Sequence, residues 1–184
     1  EDMFIRNGWY VAAFSGECNS ATPLARTLLS ERVVLFRTPQ GRAVALEDRC
    51  CHRLAPLSLG DLEADGLRCR YHGMKFDPTG RCIEMPGQRE IPASMCVRSF
   101  PLEERDGLLW IWMGDPERAL TTPIIDIPTY NNPTWHMTQG ASMHVACHYL
   151  WLVDNLLDPS HVAWVHRSSF AGAGTDNTPL ELTV

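Results

Sequence analysis

Short apolar runs separated by turn residues fill the first part of the chain. Gly8–Val11 is rich in aromatic and β-branched residues and predicts a first strand. Arg26–Leu29, Arg32–Arg37 and Ala43–Glu47 follow as strands, the last two joined across the turn Pro39-Gln40-Gly41. Gly60–Gly66 carries Asp61, Glu63 and Asp65 and reads as a solvated connection leading into Leu67-Arg68-Cys69. Met74–Asp77 and Arg81–Glu84 flank Pro78-Thr79-Gly80, and Val97–Glu103 and Leu108–Met113 flank Asp106-Gly107. Asp-Gly between two apolar runs is a strong hairpin signal. Strands this short at this spacing predict one antiparallel β domain over residues 1–116.

Gly114-Asp115-Pro116 ends that pattern. Residues 117–133, with Pro123, Pro128, Asn131, Asn132 and Pro133, are linker-like. Trp135–Ser142 reads as a strand. From about Ala146 the period becomes helical, with Tyr149, Leu152, Val153, Leu156 and Leu157 on one face. The fold class expected is α+β, with a second domain beginning over residues 117–184. The stretch after Pro133 is too short to close such a domain, so it is expected to be incomplete.

Composition narrows the picture only slightly. With 184 residues there is room for one good core, or one domain and part of another. A hydrophobic share of 45% and a charged share of 21% are those of an ordinary globular protein. The net charge of −6 argues against nucleic acid as the main partner. Lys75 is the one lysine among 16 basic residues, a bias to which we attach no function. Seven cysteines are an odd number, and no basic segment followed by an apolar run opens the chain, so a secreted disulfide framework is not expected. No run approaches the length of a membrane-spanning helix. A reducing cytoplasm is the compartment these features suggest.

The candidate chemistry begins at Cys50-Cys51-His52, which after sixteen residues is followed by Cys69-Arg70-Tyr71-His72. Each short segment offers a sulfur and an imidazole, the first with Cys51 as an additional sulfur beside Cys50. Two Cys and two His also build structural zinc sites, but those usually pair like with like along the chain. A mixed pair on each loop suits a [2Fe–2S] centre with Cys on one iron and His on the other. On these residues the segment resembles the Rieske family. The resemblance implies that Cys50, His52, Cys69 and His72 are the cluster ligands and that Cys51, where this branch usually has Pro, is not one. Respiratory Rieske proteins add a disulfide between the loops, and its cysteines would fall at Ala55 and Tyr71. Neither is Cys, which points to the disulfide-free branch of lower potential.

A second motif lies in Asp154-Asn155-Leu156-Leu157-Asp158-Pro159-Ser160-His161-Val162-Ala163-Trp164-Val165-His166. Histidines five apart sit about 140° from one another on a straight helix. They reach one metal only if the helix breaks, and Pro159 is placed to break it. This motif resembles the mononuclear iron site of Rieske non-haem iron oxygenases, a site of two His and one carboxylate with open positions. The resemblance makes His161 and His166 iron ligands. It makes Asp158 a bridging carboxylate that hydrogen-bonds one iron-ligand His and a cluster-ligand His of a neighbouring subunit, and Asn155 a residue beside the iron. Asp154 is often acidic in the family and receives no role. The third ligand should be a distant carboxylate. Asp176 and Glu181 are too close in sequence, so the chain is expected to be the N-terminal portion of a longer subunit. His148, one turn before the motif, is a candidate pocket residue, although core or surface is its default; His136 and His144 are weaker candidates. Cys147 reads as a small buried residue. Arg49, Arg53, Arg68, Arg70 and Lys75 flank the loops, either as a solvated rim or as a docking patch for an acidic electron-transfer partner.

The resemblance is most specific to vanillate and dicamba O-demethylase oxygenases, with toluenesulfonate methyl-monooxygenase nearby. It rests on Trp9-Tyr10-Val11-Ala12-Ala13, Trp110-Ile111-Trp112 with Gly114-Asp115-Pro116, and Leu152-Val153-Asp154-Asn155-Leu156. It implies a Rieske domain followed by the start of a helix-grip catalytic domain, with a [2Fe–2S] cluster and a mononuclear Fe(II) as cofactors. The implied function is the terminal oxygenase component of a monooxygenase acting with O₂ on a small aromatic methoxy or methyl compound. Electrons would come from an NAD(P)H-dependent reductase, directly or through a ferredoxin. The subunits would form a head-to-tail ring, usually a trimer. The alternatives are a Rieske electron carrier without oxygenase chemistry and a zinc-binding structural module.

Overall fold

In the computed structural model, residues 4–138 and 140–169 are described. The chain forms two compact units, Glu1–His136 and Met137–Val184. The first is built from three antiparallel sheets. One sheet has the order β1 (Gly8–Phe14), β11 (Leu108–Met113), β10 (Leu102–Arg105). The second runs β2 (Leu24–Leu28), β3 (Glu31–Arg37), β4 (Ala43–Glu47), β9 (Ser99–Phe100). The third runs β5 (Asp61–Glu63), β6 (Gly66–Arg68), β7 (Lys75–Phe76), β8 (Cys82–Glu84).

The second sheet lies between two cores. Val33 and Leu35 of β3 pack with Ala13, Leu109, Ile111 and Met113, whereas Val34 and Phe36 pack with Leu46, Leu57, Leu67 and Phe76. Successive strand residues point to opposite faces, so a strand covered on both sides needs an unbroken apolar run instead of an alternating one. Val33-Val34-Leu35-Phe36 is that run, and none of the four is more than 2% exposed. Burying each such side chain stabilises the fold by about 1.5–3 kcal/mol.

Three strand expectations change. Gly60–Gly66 is solvated at Asp61, Ala64 and Asp65 but is a hairpin instead of a plain connection: Asp61–Glu63 pairs with Gly66–Arg68 around Ala64-Asp65. Its acids signal water in sequence, but in space they meet the bases of neighbouring strands. Val97–Glu103 is not one strand. Pro101 lacks the N–H a continuous ladder needs. Ser99–Phe100 therefore pairs with β4, and Leu102–Arg105 with β11, while the Pro101 carbonyl accepts from Trp112 N–H at 2.9 Å. Trp135–Ser142 forms no strand among the described residues; Asn132 instead caps a turn by accepting from Thr134 N–H at 3.0 Å.

The linker-like stretch is fastened down. Asp115 caps the short helix α1 (Pro116–Ala119), accepting from Glu117 N–H at 3.1 Å. Trp9 Nε1 then donates to Thr122 O at 2.8 Å, and Arg105 pairs with Asp126. In the second unit the expected helix begins at Tyr149 rather than Ala146: α2 (Tyr149–Leu157) is capped by His148, whose Nδ1 accepts from Leu150 N–H. Its apolar face is bare, with Leu156 and Leu157 72% and 78% exposed. Among the described residues no helix is long and apolar enough to cross a membrane.

Gly66 stands where β6 meets β7, and a Cβ there would lie 2.2 Å from the Phe76 carbonyl oxygen. Gly66→Ala should therefore lower the unfolding free energy by about 1–3 kcal/mol, read as a lower denaturant midpoint. Gly16→Ala, which meets open space, should stay within about 0.5 kcal/mol of wild type. Equal midpoints for the two variants would contradict this packing.

Candidate metal centres

Both Cys/His segments are bent by the same two main-chain hydrogen bonds. In the first, Cys50 N–H donates to Ala55 O and Leu54 N–H donates to Cys50 O, each at 2.9 Å. In the second, Cys69 N–H donates to Met74 O at 2.8 Å and Gly73 N–H to Cys69 O at 2.9 Å. The residue four after each Cys is left-handed: Leu54 at φ 60° and Gly73 at φ 75°. Glycine takes that conformation without strain, whereas an L side chain is disfavoured there by roughly 1–2 kcal/mol. Leu54 is nevertheless 57% exposed, with its side chain held out at the loop tip.

This bend divides the donors by depth. Cys50 and Cys69 belong to the core shared with Leu67 and Phe76 and are at most 2% exposed, while His52 and His72 are exposed. The imidazole centroids lie 4.4 Å apart. Burial pushes the Cys50 thiol up to about 11, against a hydrogen bond from the His52 backbone and with Cys69 beside it adding to the rise. Two neighbouring buried sulfurs resist ionisation until a metal takes the charge. Among the described residues no three Cys, His, Asp or Glu groups converge on one ion. The depth difference between the sulfur pair and the imidazole pair suits a dinuclear centre, in which the two pairs hold different metals. All seven cysteines are free, in keeping with the absence of an inter-loop disulfide. Cys51 packs partly buried against the core that contains Cys50.

A third segment, Met85–Met95, borders the site and was missed in the sequence. Pro86 lies over Gly73, its Cγ 2.9 Å from where a Cβ would stand. Met74, Met85, Pro86 and Met95 line a cavity of about 430 Å³ with His52 and His72. The available signal was an irregular Pro- and Gly-containing run after β8 that fits neither strand nor helix period.

The expected basic patch is largely neutralised. Arg68 donates to Glu63 and Glu84 and, at 2.6 Å, to Gly73 O beside His72. Lys75 is 11% exposed at its side chain and pairs with Glu63, Asp65 and Glu84. Arg70 is paired with Asp61 and Arg49 with Glu47. Of the five cations only Arg53 stands in no ion pair among the described residues, because the sequence places acids of β5 and β8 opposite the other bases of the second loop.

In the second unit the helix breaks where Pro159 predicts. A residue before Pro is pushed out of the helical region, and Asp158 has ψ 89°. A 3₁₀ turn over Pro159–His161 and a short helix α3 (Val162–Val165) follow, and the imidazoles of His161 and His166 come to 5.5 Å between centroids. His161 Nδ1 donates to Asp158 O at 2.5 Å, which leaves Nε2 as an acceptor, and Asn155 Nδ2 donates to it at 3.5 Å. A backbone carbonyl on the far nitrogen is the usual support for a metal-ligating His. The Asp158 carboxylate does not touch His161; its Oδ1 accepts from Ser160 N–H and O–H, and its Oδ2 has no partner among the described residues. These bonds hold it below the usual carboxylate range. His148 is the exposed cap of α2 and His136, His144 and Cys147 are exposed, while Asp176 and Glu181 lie outside the described residues.

Residues 8–101 match the family model described as the Rieske [2Fe-2S] domain, and residues 145–184 match the vanillate O-demethylase oxygenase C-terminal domain. The toluene-4-sulfonate monooxygenase system iron-sulfur subunit TsaM1 of Comamonas testosteroni is 51% identical over 175 residues, 95% of this chain and 49% of that one. The oxygenase component of dicamba O-demethylase from Stenotrophomonas maltophilia is 46% identical over 98% of this chain and 53% of its own length. The crystal structure of dicamba monooxygenase bound to dicamba superposes with a TM-score of 0.81 at 48% identity, over 89% of this chain and 49% of that one. The chain thus spans about half the length of the curated relatives it matches.

Arg68 and Lys75 hold the Glu84 carboxyl down at about 2. A depressed carboxylate stabilises the fold fully above its unfolded value of about 4.3 and loses that contribution as pH falls through the folded one. The pH-dependent part of the stability difference between wild type and Glu84→Gln should therefore be largest near neutral pH, fall away as pH drops from about 4 through about 2, and shrink in high salt. A difference that does not vary with pH in denaturation curves would contradict the network.

Proposed function

This chain belongs to the Rieske non-haem iron oxygenases, and from that premise we propose that it is the cluster-bearing part of a terminal oxygenase component of a monooxygenase. The observation that carries the proposal is that one chain holds both donor sets: buried Cys50 and Cys69 with exposed His52 and His72, and the Pro-broken pair His161 and His166. The residues fit the two groups of the family. Cys50, Cys69, His52 and His72 would hold a [2Fe–2S] cluster, and His161 and His166 a mononuclear iron whose carboxylate ligand lies beyond the described residues. When bound, the cluster supplies one-electron transfer and the ferrous iron supplies O₂ activation.

The protein's own residues prepare these roles. Burial of the cysteines in the core keeps water from the sulfur side. The exposed imidazoles present the nitrogen side, flanked by Tyr71, whose ring centroid lies 3.9 Å from that of His72 and which is 64% exposed, while Leu54 is exposed at the tip of the first loop. Such an apolar rim supports a head-to-tail ring of subunits, with a trimer as the reading we favour, in which this edge meets the next subunit. Asp158 keeps Oδ2 available to accept a hydrogen bond from a ligand His of that neighbour. Asn155 positions the amide beside His161 Nε2. Residues 117–184 open the catalytic domain, although 117–136 are laid back against the β unit.

An aromatic methyl or methoxy compound is the substrate class we propose, because the relatives named for toluene-4-sulfonate and for O-demethylation of dicamba share nearly the whole described length. Electrons would be delivered by an NAD(P)H-dependent reductase or a ferredoxin. Metal and sulfide analysis of the full-length protein tests the reading. A Rieske EPR signal with a further, separate iron per subunit is expected; a cluster without that iron would leave an electron carrier, and zinc without sulfide would overturn the assignment. Asp158→Asn should retain both metals yet slow substrate-dependent O₂ uptake by about 10²-fold or more, and normal turnover would remove the bridging role.

A further inference from the structure

Asp48 is buried, 2% exposed, and lies two residues before Cys50. Two trans-linked steps place it within about 7–8 Å of that residue, Cα to Cα. An unsupported buried carboxylate is strongly unfavourable. This one accepts from Ser58 N–H at 2.6 Å and from Ser58 Oγ–H at 2.7 Å. Its nearest cation is Arg32, at 3.6 Å, whose side chain is 54% exposed. Its own N–H donates to Arg32 O at 2.9 Å, tying it to β3.

Ser58 sits in the 3₁₀ turn Leu57–Leu59, where the first ligand loop returns to the core through Leu57. The carboxylate therefore bridges the two ends of residues 49–57, outside the two main-chain bonds that bend them. The second loop is closed near the corresponding place by Arg68, which donates to Gly73 O and whose own charge is paired with Glu63 and Glu84. The two loops share one backbone shape but differ in the group at the neck. A fixed negative charge in a medium of low dielectric disfavours an added electron nearby, and hydrogen bonds and charge around a cluster set its potential. An apolar residue at this position would satisfy packing alone without the burial cost of a carboxylate.

We propose that Asp48 is a positioning residue for the cluster: clamped on Ser58, it fixes the shape of the first ligand loop, and its buried charge holds the reduction potential down. The inference rests on the cluster assignment above. Two variants of the full-length, cluster-loaded protein separate shape from charge. Asp48→Asn keeps both contacts, with Oδ1 accepting from Ser58 N–H and Nδ2 donating to Ser58 Oγ, but removes the charge. It should make reduction about tenfold more favourable, an upward shift of about 59 mV for one electron. Ser58→Ala keeps the charge and removes one bond. It should change the EPR g-values and speed cluster loss several-fold, with a shift in potential less than half as large. A wild-type potential in Asp48→Asn, or wild-type g-values and cluster retention in Ser58→Ala, would overturn the proposal. Should Asp48→Asn not retain its cluster, Ser58→Ala alone decides. A wild-type protein without a Rieske signal would instead defeat the assignment on which the proposal rests.

Discussion

Coverage of β3 on both faces is the constraint from which the rest of the β unit follows. Val33 and Leu35 close one core, Val34 and Phe36 the other, and no position in the run can be polar. The sheet that contains β3 becomes a partition. On one side β1 and β11 complete an ordinary β-sandwich core. On the other, the small third sheet brings Leu67 and Phe76 against Val34 and Phe36, and the sulfurs of Cys50 and Cys69 are members of that same core. The candidate cluster site is thus continuous with the packing, and its depth is set by the sheet beneath it.

Local chemistry explains which parts were legible in the sequence. The mixed Cys/His pairs could be read because few other arrangements need one sulfur and one imidazole on each of two loops, and the Pro159 break because proline acts on its own neighbours. What escaped was non-local. Asp61 and Glu63 look solvated until Arg70, Arg68 and Lys75 are placed opposite them. Pro101 looks like punctuation within one strand until its two sides are seen to pair with different sheets. The turn at Leu29-Ser30 has positive φ at both residues without Gly or Asn to announce it. Met85, Pro86 and Met95 carry no periodicity and meet the histidines only through the fold. The strand expected at Trp135–Ser142 has no partner among the described residues, and only Trp135 and Thr138 in that stretch are strong strand formers.

The two units differ in how far they are self-sufficient. The β unit buries its large side chains, and Trp112, Phe36 and Phe76 are almost entirely enclosed. The helix α2 carries a periodic apolar face that nothing described in its own unit covers, yet the break at its end still brings His161 and His166 together. That convergence is a property of local backbone and proline chemistry, held by the Asp158 carbonyl on His161 and the Asp158 carboxylate on Ser160.

The main-chain bonds that bend the two ligand loops leave a particular freedom. Because Cys50 and Cys69 close their loops through N–H and C=O groups, the side chains at Cys51, Arg53, Arg70 and Tyr71 contribute little to the bend. In sequence these positions adjoin the two histidines, and the Tyr71 ring lies against His72. Selection can therefore change polarity, bulk or charge at the edge where electrons enter or leave without refolding the site beneath. Proteins sharing this loop geometry could diverge quickly in the redox partners they accept while their metal-binding backbone stays the same.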